Sequence, residues 1–178
     1  MNRVVITGGP STGKTSLIEE FKKLGYVTFS EVARKIIQQQ LDMGTKKLPW
    51  DDVSGFSKLV LNEQLNDFNS ADSNLTLYDR GIPDIIGYLN HANKKIFKKL
   101  IDSNRINRYN KVFILPPWKE IYKNDNERRE SFKEANFIHD EIEQAYLKSG
   151  YNPIKVPFGS IQNRINFILN FLKIRFIS

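Results

Sequence analysis

Residues 8–15 read Gly-Gly-Pro-Ser-Thr-Gly-Lys-Thr, directly after the apolar, β-branched stretch at residues 3–7. The pattern G-x-x-x-x-G-K-[ST] between a strand and a helix is a phosphate-binding loop. No other feature constrains the fold as much, because such a loop needs a buried strand behind it and a helix N-terminus in front. The residue types suit the task. Gly8, Gly9 and Gly13 permit positive φ and close backbone approach, which lets successive N–H groups point at phosphate oxygens. Lys14 brings a cation to the β and γ phosphates, and Thr15 offers a hydroxyl to Mg²⁺. The helix N-terminus adds its partial positive charge. The candidate nucleotide-binding segment is therefore Gly8, Gly9, Pro10, Ser11, Thr12, Gly13, Lys14, Thr15 and Ser16.

Behind this loop the chain alternates strands and helices. Leu17, Ile18, Phe21 and Leu24 recur at helical spacing, and Gly25 stands where a helix C-cap glycine belongs. A second strand is expected at residues 26–30 and a helix from 31 to about 41. After a loop at 43–50, a long helix is expected from 51 to about 71. The remaining strands are expected at 75–79, 111–115 and 151–156. Helices are expected after Pro83, from 131 to 148, and after the N-cap residue Ser160. The basic stretch at 94–99, with Arg105 and Arg108, reads as the wet side of an amphipathic helix. Alternation of this kind means a parallel sheet covered on both faces, and 178 residues suffice for one domain spanning 1–178.

Composition narrows the function less than the loop does. There is no cysteine and there are two histidines, which excludes a thiolate or His-rich metal site. The net charge of +7 suits any anionic partner. A nucleic acid is one such partner, but no motif favours it. No run approaches the roughly 18 apolar residues of a membrane span, and no leader-like segment opens the chain, so a cytoplasmic protein is expected. Oligomeric state has no signature.

Three further groups carry chemistry. The pair Asp79–Arg80 closes the third strand and would lie at the carboxyl edge of the sheet, beside the loop. Asp79 there can assist a metal. Arg80 stands where a hydrolase would be expected to carry a second acid that orients water, and it suits an anionic group or a bound acceptor. Glu31 and Arg34 are three apart, so on a helix they share a face; Glu31 could take the proton of an acceptor hydroxyl while Arg34 clamps it. Arg128 and Arg129, in the irregular piece after the fourth strand, could close over the transferring phosphate.

The loop, with Glu-Val-Ala-Arg at 31–34, Tyr-Asp-Arg-Gly-Ile-Pro-Asp at 78–84, Phe-Ile-Leu-Pro-Pro-Trp at 113–118 and Glu-Arg-Arg-Glu-Ser at 127–131, resembles a family of small bacterial P-loop proteins labelled predicted ATPases or AAA-like domains. More distantly it is similar to ribosylnicotinamide kinase and deoxynucleoside kinases. The resemblance covers nearly the whole chain. It implies an α/β nucleoside- and nucleotide-kinase fold with a five-stranded parallel sheet in the order 2-3-1-4-5, helices on both faces and an arginine-bearing lid, here about 117–135. In the kinase relatives a carboxylate after strand 2 is the base and an acidic-Arg pair after strand 3 serves metal and phosphate, which by position are Glu31 and Asp79 with Arg80. An N-K-x-D guanine-reading motif is absent, and some members of the broader family bind GTP, so ATP or GTP is the expected donor, with Mg²⁺. The expected activity is transfer of the γ-phosphoryl to a small nucleoside- or nucleotide-like acceptor. The alternatives are an NTP hydrolase or switch, and a polynucleotide kinase. The acceptor pocket would draw on helix and lid side chains such as Trp50, Phe56 and Trp118.

Overall fold

The computed structural model describes residues 2–72, 75–122 and 130–174. Five strands form one parallel sheet, β1 (Asn2–Thr7), β2 (Val27–Phe29), β3 (Leu75–Asp79), β4 (Lys111–Ile114) and β5 (Ile154–Lys155), in the order β2-β3-β1-β4-β5. This is the order implied by the resemblance. β1 is central because both its faces are covered: Val4 and Ile6 point to one layer, Val5 to the other, and all three are fully buried.

On the first face, Val4, Ile6, Leu77 and Phe113 pack against α1 (Lys14–Lys23) and α7 (Ile161–Phe171) through Leu17, Phe21, Ile165 and Leu169. On the other face lie α2 (Val32–Asp42), α3 (Val53–Ser70), α4 (Ile82–His91), α5 (Lys98–Ile106) and α6 (Phe132–Lys148). Val5 and Tyr78 meet Val32, Leu61, Ile85, Leu100 and Ile142 there.

The capping signals are used as the sequence suggested. Gly25 takes φ +85° and closes α1, with its N–H bonded to the Lys22 carbonyl at 3.0 Å. Ser160 Oγ accepts from the Asn163 N–H at 3.1 Å, and Ser131 Oγ accepts from the Glu134 N–H at 3.2 Å.

Two boundaries differ from expectation. β5 keeps only two residues of 151–156, because Pro153 has no N–H for the ladder and the Tyr151 side chain turns into the α-helical layer. The basic stretch at 94–99 is not one helix: residues 94–97 are irregular, Phe97 is the N-cap residue, and only Lys98 onward is helical. Among the described residues no helix is long and apolar enough to cross a membrane.

Candidate functional site

The loop at 8–15 leaves β1 at the carboxyl edge of the sheet and runs into α1. Its backbone turns through left-handed conformations at Ser11 (φ 56°) and Gly13 (φ 85°), with Gly8 at φ 140°. A Cβ on Gly8 would stand 2.4 Å from the Leu115 carbonyl oxygen, so glycine is required there by space as well as by φ. Lys14 is buried, and its ammonium donates to the Gly9 carbonyl at 2.6 Å and meets the Thr12 hydroxyl at 3.3 Å. Thr15 follows as the second residue of α1, and Ser16 is exposed.

Asp79 pairs with Ile6 at the end of β3, which sets it beside the loop. Its Oδ2 accepts from the Thr15 hydroxyl at 3.3 Å, and its Oδ1 is buried with no hydrogen-bond partner among the described residues. Burial first, then the Glu31 carboxylate, pushes its pKa up to about 6, against the opposing pull of Lys14, Arg80 and the Thr15 hydroxyl. A buried oxygen lacking a donor, next to a hydroxyl, fits a hard divalent cation such as Mg²⁺.

Arg80 is the hub of the site. It adopts φ 76°, which is uncommon for a side chain of its size, and it is buried. Its guanidinium over-determines that conformation: Nε donates to Glu31 Oε1 at 2.8 Å, while Nη1 donates to the Gly8 carbonyl at 3.0 Å and to Asp84 Oδ1 at 2.9 Å. The ring of Tyr88 lies 5.3 Å from its central carbon. Asp84, 2% exposed, also accepts from the Thr7 hydroxyl at 2.6 Å, the Tyr146 hydroxyl at 2.6 Å and the Gly81 N–H at 3.0 Å. The strand before the loop, the turn after β3 and helix α6 are thus joined through one buried carboxylate.

Glu31 is the N-cap residue of α2 and faces Arg34 Nε at 3.4 Å as well as Arg80. Together with Pro10 of the loop, Glu31, Arg34, Arg80 and Asp84 line one side of a cavity of about 130 Å³. Ile37, Val53, Phe56, Val60, Ile85 and Tyr88 make it largely apolar. Gln64, 7% exposed, also lines it, and its Oε1 has no partner among the described residues.

Beyond the loop from this cavity, Arg164 of α7 donates from Nη1 to the Thr12 carbonyl at 3.2 Å and from Nε to the Gly159 carbonyl at 3.0 Å. Its guanidinium stands 4.9 Å from the Trp118 ring, which tilts against the half-exposed Phe158 at 5.1 Å.

The structure brings Lys14, Thr15, Asp79, Arg80, Glu31 and Arg34 to one edge of the sheet, as the sequence suggested. Arg128 and Arg129 lie outside the described residues. Of the three aromatic residues expected around the acceptor pocket, only Phe56 lines the cavity: Trp50 is exposed, and Trp118 is packed on Arg164. Four residues went unrecognised in the sequence. Asp84 had a signal, standing four after Arg80 in an ion-pair register. So did Gln64, a polar residue between the apolar positions Val60, Leu61 and Phe68 of α3. His139 and Arg164 reach the loop from 130 and 152 residues away, and no local pattern announces contacts of that range.

Residues 3–164 match the family model of an AAA domain. The chain belongs to this AAA-domain family. No curated protein matches it significantly in sequence. Among solved structures, deoxyadenosine kinase from M. mycoides with bound dATP is similar over 97% of this chain and 100% of that one, at a TM-score of 0.71 and 17% identity. NadR protein in complex with NR gives a TM-score of 0.71 at 17% identity over 99% of this chain, which spans about half of NadR (51%). NadR in complex with NAD and AMP-PNP gives 0.67 at 18% identity. At these identities the likeness is one of fold, so this AAA-domain member has the P-loop kinase architecture.

Proposed function

We propose that this single-domain chain is a Mg²⁺-dependent kinase that moves the γ-phosphoryl of ATP, or GTP, to a hydroxyl of a small nucleoside- or nucleotide-like acceptor. One observation carries the proposal: the Glu31–Arg80 pair lines a partly open, mainly apolar cavity that Pro10 of the phosphate loop also lines. A hydrolase needs an oriented water beside the γ-phosphate, whereas this site offers a carboxylate, two arginines and room for an organic molecule.

We assign the roles as follows. Loop N–H groups and Lys14 hold the donor phosphates, and the aromatic surface of Trp118 and Phe158 suits the planar base. Thr15 and Asp79 would hold Mg²⁺, which when bound neutralises phosphate charge. Glu31 accepts the proton of the acceptor hydroxyl as its oxygen bonds to the γ-phosphorus and the bond to the departing diphosphate breaks. Arg80 and Arg34 orient the acceptor, and Arg128 and Arg129, assigned from the sequence alone, offset charge on the transferring group. The dATP-bound and AMP-PNP-bound relatives support the donor side. ATP and nucleosides are cytoplasmic compounds, so the cytoplasm is the proposed site of action.

The test is a panel of nucleosides, nucleotides and vitamin ribosides incubated with the protein, Mg²⁺ and γ-labelled ATP or GTP. A labelled acceptor is expected. Steady acceptor-independent hydrolysis with no labelled product across the panel would replace the proposal with an NTPase, and tight binding with no turnover would replace it with a switch.

A further inference from the structure

We infer that the His139 imidazole, on α6, is a positioning residue of the phosphate loop that fixes the Gly8–Gly9 peptide, next to the Gly9 carbonyl on which Lys14 rests. The inference relies on the loop as a nucleotide site but not on any acceptor. The Gly9 N–H donates to His139 Nδ1 at 3.3 Å. On its other side, the Gly9 carbonyl accepts from the Lys14 ammonium at 2.6 Å and from the Thr12 hydroxyl at 3.2 Å. The Gly9 N–H shares its peptide plane with the Gly8 carbonyl, which accepts from Arg80 Nη1 at 3.0 Å, so turning the N–H away from His139 would swing that carbonyl off Arg80 and disturb the adjoining peptide whose carbonyl meets Lys14.

Packing makes the contact a tight one. A Cβ on Gly9 would lie 2.7 Å from the Ala135 carbonyl oxygen and 3.0 Å from His139 Cβ, so one turn of α6 rests directly on the loop. His139 is 4% exposed, and a buried loop N–H without an acceptor would carry a desolvation penalty. Because Nδ1 accepts, the ring proton belongs on Nε2, which faces Glu143 Oε2 at 3.9 Å; Glu143 in turn accepts from Lys155 Nζ at 3.0 Å.

The contact requires neutral imidazole. Burial lowers the pKa of His139 from 6.5, with Glu143 and Asp140 on its own helix opposing that shift and Lys14 of α1 and Lys155 of β5 adding to it. At neutral pH the acceptor is in place. Acidification through the lowered pKa puts a proton on Nδ1, donor against donor, and releases Gly9.

The experiment compares the wild type with H139A and H139N, in which Asn Oδ1 can stand where Nδ1 stood. Mg·ADP affinity is measured by calorimetry, and the Gly9 amide is followed by NMR hydrogen exchange without nucleotide. H139A should weaken ADP binding roughly 3- to 10-fold and unprotect the Gly9 amide, while H139N restores both to within about twofold. As pH falls below 6.5, as far as the fold persists, the wild type should lose affinity relative to H139N, a ratio from which titration of the ADP phosphates cancels. The inference is overturned if H139A matches the wild type in both readouts, or if H139N is as defective as H139A. If H139A does not fold, the pH-dependent ratio of wild type to H139N decides, and a flat ratio overturns it. None of these readouts involves an acceptor, so a negative kinase panel leaves them standing, and their failure leaves the panel result untouched.

Discussion

Asp79 answers to two opposing demands. A carboxylate that is to help hold a divalent cation has to be ionised, yet burial beside Glu31 raises its pKa to about 6. The folded value is above the ordinary aspartate value of 3.8, so the folded metal-free protein holds this proton more tightly than the unfolded chain does. The associated stability is present below the unfolded value and is lost as pH rises through about 6. D79N removes the ionisation. Metal-free D79N should therefore melt higher than the wild type at about pH 8, while its Mg²⁺-dependent gain in nucleotide affinity disappears. Thermal denaturation with and without Mg²⁺ and nucleotide checks both parts, and a variant that melts lower and still responds to Mg²⁺ contradicts them. Glu31 permits a cleaner separation of binding from chemistry. Gln keeps an oxygen for Arg80 Nε but cannot take a proton. E31Q is expected to lower kcat by roughly 100-fold or more with little change in ADP affinity, measured by phosphoryl transfer and calorimetry in parallel. In a switch protein the same variant would behave as the wild type.

At the level of elements, α4 and α6 are held together by a buried hydrogen bond from the Tyr146 hydroxyl to Asp84. Tyr146 is fully buried, so Phe fills the same space and deletes one bond to an ionised acceptor. Y146F should cost about 1.5–3 kcal/mol in urea unfolding, with an unchanged m-value. An unfolding midpoint equal to that of the wild type would show that the bond contributes nothing. The helices themselves were legible in the sequence because their apolar stripes and caps are local: Asp52, Ser131 and Ser160 each accept from the backbone N–H three residues ahead. β5 was legible only in outline. Its pairing with β4 is a long-range matter, and Pro153 trims it from the inside. For the same reason the run of lysines at 94–99 misled, since charge periodicity describes a solvated surface without stating whether its backbone is helical.

Taken whole, the molecule has on opposite sides of the loop the elements that the proposed reading assigns to donor and acceptor. α1 and α7 with Trp118 and Arg164 lie on the donor side, and α2, α3 and α4 surround the cavity. The phosphate loop was readable from eight consecutive residues, because a phosphate cradle is built from one stretch of backbone, whereas Arg164 and His139, which contact it from far along the chain, were not. The acceptor half was readable only where a charged residue marks a strand end, as at Glu31, Asp79 and Arg80. Its depth, set by Gln64 and the apolar faces of three helices, depends on how those helices pack. The two-sided layout makes a prediction that a hydrolase or a switch would not share. A ligand that binds only the native state raises stability by RT ln(1 + [L]/Kd), about 2.7 kcal/mol at 100 Kd, or on the order of 5–10 °C in melting temperature for a chain of this size. Mg·ADP and the acceptor found in the panel should each raise the melting temperature alone. K14A should abolish the first shift, since it removes the cation that meets the phosphates, and leave most of the second. Gln64→Leu should do the reverse, because it alters the cavity without touching the loop. If both variants lose both shifts together, donor and acceptor do not occupy separate halves and the kinase reading loses its structural basis.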